Sequence, residues 1–300
     1  MNFYAGVDGG GTKTAVLCVN KQGEPIASAV FGPFNINSIG REGLRGVMAE
    51  ILHFLREQGQ CLRLCIGAAG NGNAALREEI AAAMTAAPEI PYELVGDYEI
   101  ARAGALGGRA GLALVAGTGS VCSGVNAAGQ QLRVGGWGHL IGDGGSGYAL
   151  GRDAMRELTL ARDGMAARGL LCELLEREFA LTTREKIVER VYGMDKSATA
   201  AVAGCVLRSA EAGDEAAVRI LEQNARELAA LARAVAEPLG MTAPEIALLG
   251  GLVRGDNCYR RLVTAAIERV LPGARCVEGA FPPDRGAALM AKAGGETAHG

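Results

Sequence analysis

Tyr4-Ala-Gly-Val-Asp-Gly-Gly-Gly-Thr-Lys-Thr14, running directly into Ala15-Val-Leu-Cys-Val19, is the stretch from which the fold is read. An apolar strand enters an acid, three glycines and two threonines, and the chain leaves as a second apolar run of strand composition. The pattern is a hairpin with a bare polar bend. Glycines let backbone N–H groups close on an anion, Thr12 and Thr14 add donors, and Asp8 supplies the oxygen that a hard cation prefers. The bend has the makings of a nucleotide-phosphate seat. It is not a P-loop, which needs Gly-x4-Gly-Lys-Ser/Thr opening a helix; here Thr12 separates Gly11 from Lys13 and a strand follows. Taken alone, it is equally an ordinary glycine-rich turn.

The same plan returns further along the chain. Gly11-Thr-Lys-Thr14 aligns with Gly117-Thr-Gly-Ser120, and in the same frame Val19 meets Val125, Asn20 meets Asn126 and Gly23 meets Gly129. Self-similarity at a fixed offset is a property of the fold rather than of one turn. Two such bends, one per half, are expected to grip a triphosphate from both sides.

The chain has 300 residues, 30 Lys plus Arg against 33 Asp plus Glu, and a formal net charge of −3. No basic run and no aromatic-basic interleaving points to nucleic acid, and no apolar run reaches the length of a membrane span. A small soluble partner and a cytoplasmic location are expected, with no secretory leader in view. Eight cysteines are scattered without a Cys-x-x-Cys, and three histidines complete no zinc pattern; the thiols read as reduced, packed hydrophobes.

After a third strand (26–31) comes a loop, 32–40, holding Asn35 and Asn37, then a helix over 41–58 with Leu44, Met48, Ile51 and Leu55 on one stripe. Strands at 62–68 and 92–96 alternate with helices at 74–87 and 100–106, which implies a sheet with ligand groups at its carboxyl ends. Asp97 follows one such end and is either a helix N-cap or a catalytic carboxylate. Asn35 and Asn37 are equally explained by turn chemistry.

The second half opens with a strand at 111–116, its bend and a meander. Seven glycines then crowd the thirteen residues from Gly135 to Gly147, around Trp137, His139 and Asp143. Such a run suggests backbone close to a ligand, although Trp137 and His139 are equally read as core residues. Residues 146–239 read as helices without catalytic features. Gly250-Gly251 after a strand at 245–249 offers backbone that could lie against an adenosine. A helix at 257–270, a strand at 275–277 and a last helix from about 284 complete the chain, and the Gly/Ala-rich stretch 103–111 reads as a hinge.

Together, Asp8-Gly-Gly-Gly-Thr-Lys-Thr14, Ala116-Gly-Thr-Gly-Ser120, Gly136-Trp-Gly-His-Leu-Ile-Gly-Asp143, Leu249-Gly-Gly251 and Gly286-Ala-Ala288 resemble the N-acetylglucosamine kinase branch of the BadF/BadG/BcrA/BcrD-type ATPases, within the actin, hexokinase and Hsp70 superfamily. The resemblance implies an α/β fold of two ribonuclease-H-like domains flanking a nucleotide and sugar cleft. Their expected limits are 1–106, with the helix 286–300 packed on it, and 107–285 with a helical insertion. It implies ATP and Mg²⁺, a small-molecule sugar substrate, a homodimer, and phosphorylation of an amino sugar such as N-acetylglucosamine, glucosamine or N-acetylmuramic acid.

By position, Asp8 would orient Mg²⁺. Gly10, Gly11, Thr12, Lys13, Thr118, Gly119 and Ser120 would hold phosphates, and Gly250 and Gly251 would border the adenosine. Asp97 corresponds to the general base, and Asn35, Gly136, Trp137, Gly138 and Asp143 to sugar contacts. The animal-type kinases have a serine beside a Ser-Gly-Gly loop where this chain has Gly67-Ala-Ala-Gly70, which leaves the choice among these sugars and plain glucose open. Two other functions fit the same family outline: an ATPase that activates a dehydratase through an iron–sulfur cluster shared by two subunits, and a sugar-sensing regulator without catalysis.

Overall fold

The computed structural model describes residues 1–297. These fall into two compact units, one of residues 1–109 with the described chain from 279 to 297 and one of residues 110–278. These limits differ by a few residues from the sequence expectation of 1–106 and 107–285. The first crossing, at Arg109/Ala110, falls inside the Gly/Ala-rich 103–111 stretch.

The first unit runs β1 (Asn2–Gly9), β2 (Thr14–Val19), β3 (Pro25–Phe31), α1 (Ile36–Gln58), β4 (Gln60–Ala68), α2 (Ala74–Met84), β5 (Tyr92–Gly96) and α3 (Asp97–Ala105). The second runs β6 (Gly111–Ala116), β7 (Ser120–Val125), β8 (Gln131–Gly135), α4 (Gly147–Arg162), α5 (Leu170–Glu178), α6 (Arg184–Gly193), α7 (Lys196–Ala201), α8 (Ala203–Glu211), α9 (Glu215–Ala236), β9 (Glu245–Leu249), α10 (Cys258–Val270) and β10 (Arg275–Glu278). The chain then returns to the first unit as α11 (Pro283–Thr297).

Each unit is built on a five-stranded sheet, in order β3-β2-β1-β4-β5 and β8-β7-β6-β9-β10. Strand for strand this is one topology used twice: an antiparallel meander of three strands extended by two parallel ones. Central β1 is buried on both faces, with Phe3, Ala5 and Val7 inaccessible on one and Tyr4 and Gly6 buried on the other, as a strand covered by helices on each side requires. The repeat extends to single hydrogen bonds. The Asn20 Oδ1 accepts from the N–H groups of Gln22 and Glu24, and the Asn126 Oδ1 accepts from those of Ala128 and Gln130. At the phosphate-type bends the match is looser: Gly10 N–H donates to the Lys13 carbonyl, while Gly117, the counterpart of Gly11, donates its N–H to the carbonyl of Gly119.

Most elements lie where periodicity places them, with two instructive shifts. Helix α1 begins at Ile36 rather than at residue 41, because the Asn35 side chain caps it by accepting Asn37 N–H at 3.0 Å; the helix is interrupted at Gly40, whose φ is 69°. Asn35 and Asn37 are therefore the cap and first turn of a helix, not loop residues. Helix α3 starts at Asp97 rather than at residue 100.

The long α9 is capped by Asp214, whose Oδ1 accepts Ala217 N–H while Oδ2 accepts Leu171 N–H at the start of α5. Helix α11 closes the core of the first unit, where Ala287, Ala288 and Ala291 pack with Tyr4, Leu17 and Ile100. This contact needs glycine on both partners: a Cβ on Gly6 would stand 2.1 Å from Ala288 N, and one on Gly286 would stand 2.0 Å from Ile100 O. All eight cysteines are free, six of them buried, and burial pushes the thiols of Cys18 and Cys61 up to about 12. Among the described residues no helix is long and apolar enough to cross a membrane.

Candidate active site

In the first unit the parallel run β1-β4-β5 brings three strand ends together. Asp8 pairs in register with Gly67 of β4, and Ala68 pairs with Gly96, the last residue of β5. Asp97 follows immediately. Its carboxylate is exposed and is not the cap of α3: the Glu99 side chain accepts Gly96 N–H at 2.9 Å, while the Asp97 Oδ1 accepts the adjacent Tyr98 N–H. Asp8 is half-buried. Burial, then the charges of Asp284 in the first turn of α11 and of Asp97, hold its carboxyl above the ordinary carboxylate range, against a smaller opposite pull from Lys13.

The bend beside it is anchored through Gly10, whose N–H donates to the carbonyls of Asp8 and Lys13 at 3.2 and 3.1 Å, while Gly11, Thr12 and Lys13 stand exposed. Thr14 is not a ligand donor. It is fully buried and its hydroxyl donates to the Gly32 carbonyl at 2.7 Å.

In the second unit the β6–β7 bend is held from below by the glycine-rich loop and the start of α4. The N–H groups of Gly147 and Tyr148 donate to the carbonyls of Gly117 and Thr118. Ser120, the counterpart of Thr14, repeats its role, with the hydroxyl donated to the Gly144 carbonyl at 2.7 Å; that proton is not free for a phosphate. Asp143, with φ of 61°, is buried beneath the bend. Its Oδ1 accepts Ser120 N–H at 3.2 Å and its Oδ2 lies 2.7 Å from Lys196 Nζ, a short ion pair without hydrogen-bond alignment.

Thr118, Gly119, Gly136, Gly138, Asp143 and Lys196 line a cavity of about 310 Å³. The structure thus sets Asp143, matched by sequence to a sugar contact, against the residues matched to phosphate. Gly250 also reaches this bend, since a Cβ there would meet the Ala116 carbonyl at 2.3 Å, whereas Gly251 faces open space. Trp137 is 76% exposed, so the core reading of this residue is corrected. His139 packs edge-on against Tyr148 with ring centroids 4.7 Å apart.

Beneath the loop lies a buried polar net. Asn224 accepts Gly145 N–H at 3.0 Å and donates to Asp153 Oδ2 at 2.9 Å, and the Tyr259 hydroxyl donates to the Gly145 carbonyl at 2.8 Å. Both backbone groups of Gly145 are thereby fixed. Sequence reasoning missed Lys196 and Asn224, in a helical stretch read as without catalytic features, Tyr259, on a helix given no role, and Asp284, read only as a helix start. No local pattern marks them; only the fold carries them to the loop and the bend.

A model of the BadF/BadG/BcrA/BcrD ATPase family matches residues 5–291. An N-acetylmuramic acid/N-acetylglucosamine kinase of Clostridium acetobutylicum is 33% identical over 269 residues, which cover 86% of this chain and 87% of the relative. A glucosamine kinase of Vibrio cholerae is 29% identical over 238 residues, covering 76% and 78%. In three dimensions the chain is similar to a solved structure from Chromobacterium violaceum described as an N-acetylglucosamine kinase, with a TM-score of 0.69 at 24% identity over 97% of this chain and 98% of that one. That likeness bears on the fold alone, a pair of α/β units. With the duplicated sheets, the two bends and the match across nearly the whole sequence, the chain belongs to the BadF/BadG/BcrA/BcrD ATPase family.

Proposed function

We propose that this protein transfers the terminal phosphoryl group of ATP to a hydroxyl of an amino sugar, N-acetylglucosamine or a close relative, with Asp97 as the general base. The observation that carries this reading is the Asp97 carboxylate itself. It stands exposed at the carboxyl end of a parallel strand, released from capping by Glu99, with β4 alone between its strand and the one that carries Asp8. A sugar hydroxyl is a poor nucleophile, and a carboxylate that accepts its proton as the P–O bond forms is worth on the order of 10²–10⁴ in rate. The rest of the acceleration in phosphoryl transfer comes from alignment and from donors that meet the spreading charge. Thr118 and Gly119 in the second unit, and Gly11 and Thr12 in the first, have the accessible bend backbone to supply those donors.

Asp8 fits a Mg²⁺ role. Its carboxyl is held above the ordinary range by burial and by Asp284 and Asp97, so a divalent cation would relieve a charge excess that the fold leaves in place. Among the described residues no group of three acidic, His or Cys side chains converges closely enough to hold a metal by itself. Asp8 would therefore act with water and phosphate oxygens completing the shell, as Mg²⁺ prefers. When bound, the ion supplies charge neutralisation on the phosphates.

The names carried by the relatives from C. acetobutylicum and V. cholerae support an amino-sugar acceptor. The test is an ADP-release screen over N-acetylglucosamine, glucosamine, N-acetylmuramic acid and glucose. Hexosamine-dependent ADP formation with stoichiometric sugar phosphate is the expected result. ATP hydrolysis indifferent to sugar, from a protein that purifies with iron, would favour the dehydratase activator instead.

A further inference from the structure

We infer that Lys196 is a nucleotide-phosphate ligand, held on Asp143 until the phosphate arrives; this rests on the kinase reading above. The cavity at the β6–β7 bend has a single cation among its lining residues, Lys196, and a single anion, Asp143. The Asp143 carboxylate is buried against the bend, with one oxygen on Ser120 N–H. Alone, it would repel any phosphate that approached the N–H groups of Thr118 and Gly119.

Lys196 removes that conflict. Its Nζ is 2.7 Å from Asp143 Oδ2. It is equally close to the bend, since a Cβ on Gly119 would lie 3.0 Å from the same Nζ. The side chain is 34% exposed while its partner's is 3% exposed, so the ammonium forms the accessible half of the pair. An ammonium carries three donors on a flexible stem; one faces Asp143, and the others are available to an oxyanion at Gly119. The start of α7 is fixed by Asp195, whose Oδ1 accepts Ala198 N–H at 2.7 Å, so the lysine stem leaves the backbone from a defined point.

Lys196→Met, Lys196→Arg, Asp143→Asn and the double variant Lys196→Met/Asp143→Asn separate a ligand from a mere charge balance. Calorimetry would measure a non-hydrolysable ATP analogue with Mg²⁺ and, in parallel, adenosine, which lacks phosphate. Loss of a charge-assisted contact predicts that Lys196→Met weakens the analogue about 10- to 100-fold while adenosine binding holds, and that Lys196→Arg recovers most of the loss. If balancing Asp143 were the whole role, the double variant would restore both melting temperature and analogue affinity. A phosphate ligand predicts that it restores the melting temperature only. Should Lys196→Met fail to fold, the double variant, with the carboxylate charge also removed, carries the same comparison.

The inference is overturned if Lys196→Met binds the analogue as the wild type does, or if analogue and adenosine weaken together. It is equally overturned if only N-acetylmuramic acid binding is lost, which would make the lysine a partner of that sugar's carboxylate. A wild-type protein that binds no analogue would overturn the kinase reading as well, and so is distinguishable from failure of the lysine alone.

Discussion

An aspartate at the end of a central strand, its pKa raised first by burial and then by the charges of Asp284 and Asp97, opposes the fold that contains it. The sign follows from linkage. A carboxyl whose pKa is raised on folding contributes its stabilisation below the unfolded-state pKa and loses it as pH rises through the folded value. At neutral pH the ionised Asp8 is therefore a standing cost, tolerated for function. Asp8→Asn should raise Tm at pH 7, with the gap to wild type closing as the pH is lowered into the carboxylate range. It should also cut kcat/KM for Mg·ATP on the order of 10- to 100-fold while sugar binding by calorimetry is retained. A variant that is less stable at pH 7 would show that Asp8 is held by contacts rather than for chemistry. Asp97 behaves differently because it is exposed: Asp97→Asn should leave Tm near the wild-type value and lower kcat by at least about a hundredfold, and near-normal turnover would reject it as the base. The places of Asp8 and Asp97 were legible in the sequence because one lies at the end of a strand and the other just follows one. Asp284 was not, since its approach to Asp8 depends on a helix that returns from the far end of the chain.

At the scale of elements, the readable features are those set by neighbours in the chain. The Asn20 and Asn126 turns, the two bends and the strands around them follow from local pattern, which is why the internal repeat survives into matching hydrogen bonds. The support for the 143–147 loop follows from nothing local, because Asn224 and Tyr259 look like ordinary members of the core faces of α9 and α10. Their removal should nonetheless be felt at the bend. Tyr259→Phe deletes one buried hydrogen bond and should cost about 1 kcal/mol in urea unfolding, while Asn224→Ala strands Gly145 N–H and takes from Asp153 Oδ2 its Asn224 donor, leaving that carboxylate to Arg152, and should cost up to about 3 kcal/mol. If these helices position the loop, both variants should also raise the KM for ATP, with Tyr259→Phe the milder. A loss of stability with an unchanged KM would mean that the loop keeps its geometry without them.

For the molecule as a whole, the chain order conceals how the cores are assembled. In the first unit one face of the sheet packs on α3 and α11 and the other on α1 and α2, whereas the core of the second is made by residues 110–278 alone. Each unit buries its own apolar set, so a lesion confined to one is expected to lower the stability of that unit first. Gly286 is the place to test this, because α11 crosses α3 there with no room for a side chain: a Cβ would stand 2.0 Å from Ile100 O and 2.4 Å from Gly104 N. Both obstacles are backbone atoms, which cannot swing aside as a flexible side chain would. Gly286→Val should therefore cost about 3 kcal/mol or more, at or beyond the upper end of overpacking penalties. Hydrogen exchange followed by peptide should show protection lost across β1, β2 and β4 while β6, β7 and β9 keep theirs. Equal loss of protection in both sheets would show that the two halves fold as a single cooperative body. A variant with wild-type protection throughout would show that α11 can shift along α3 without disturbing the strand that ends in Asp8.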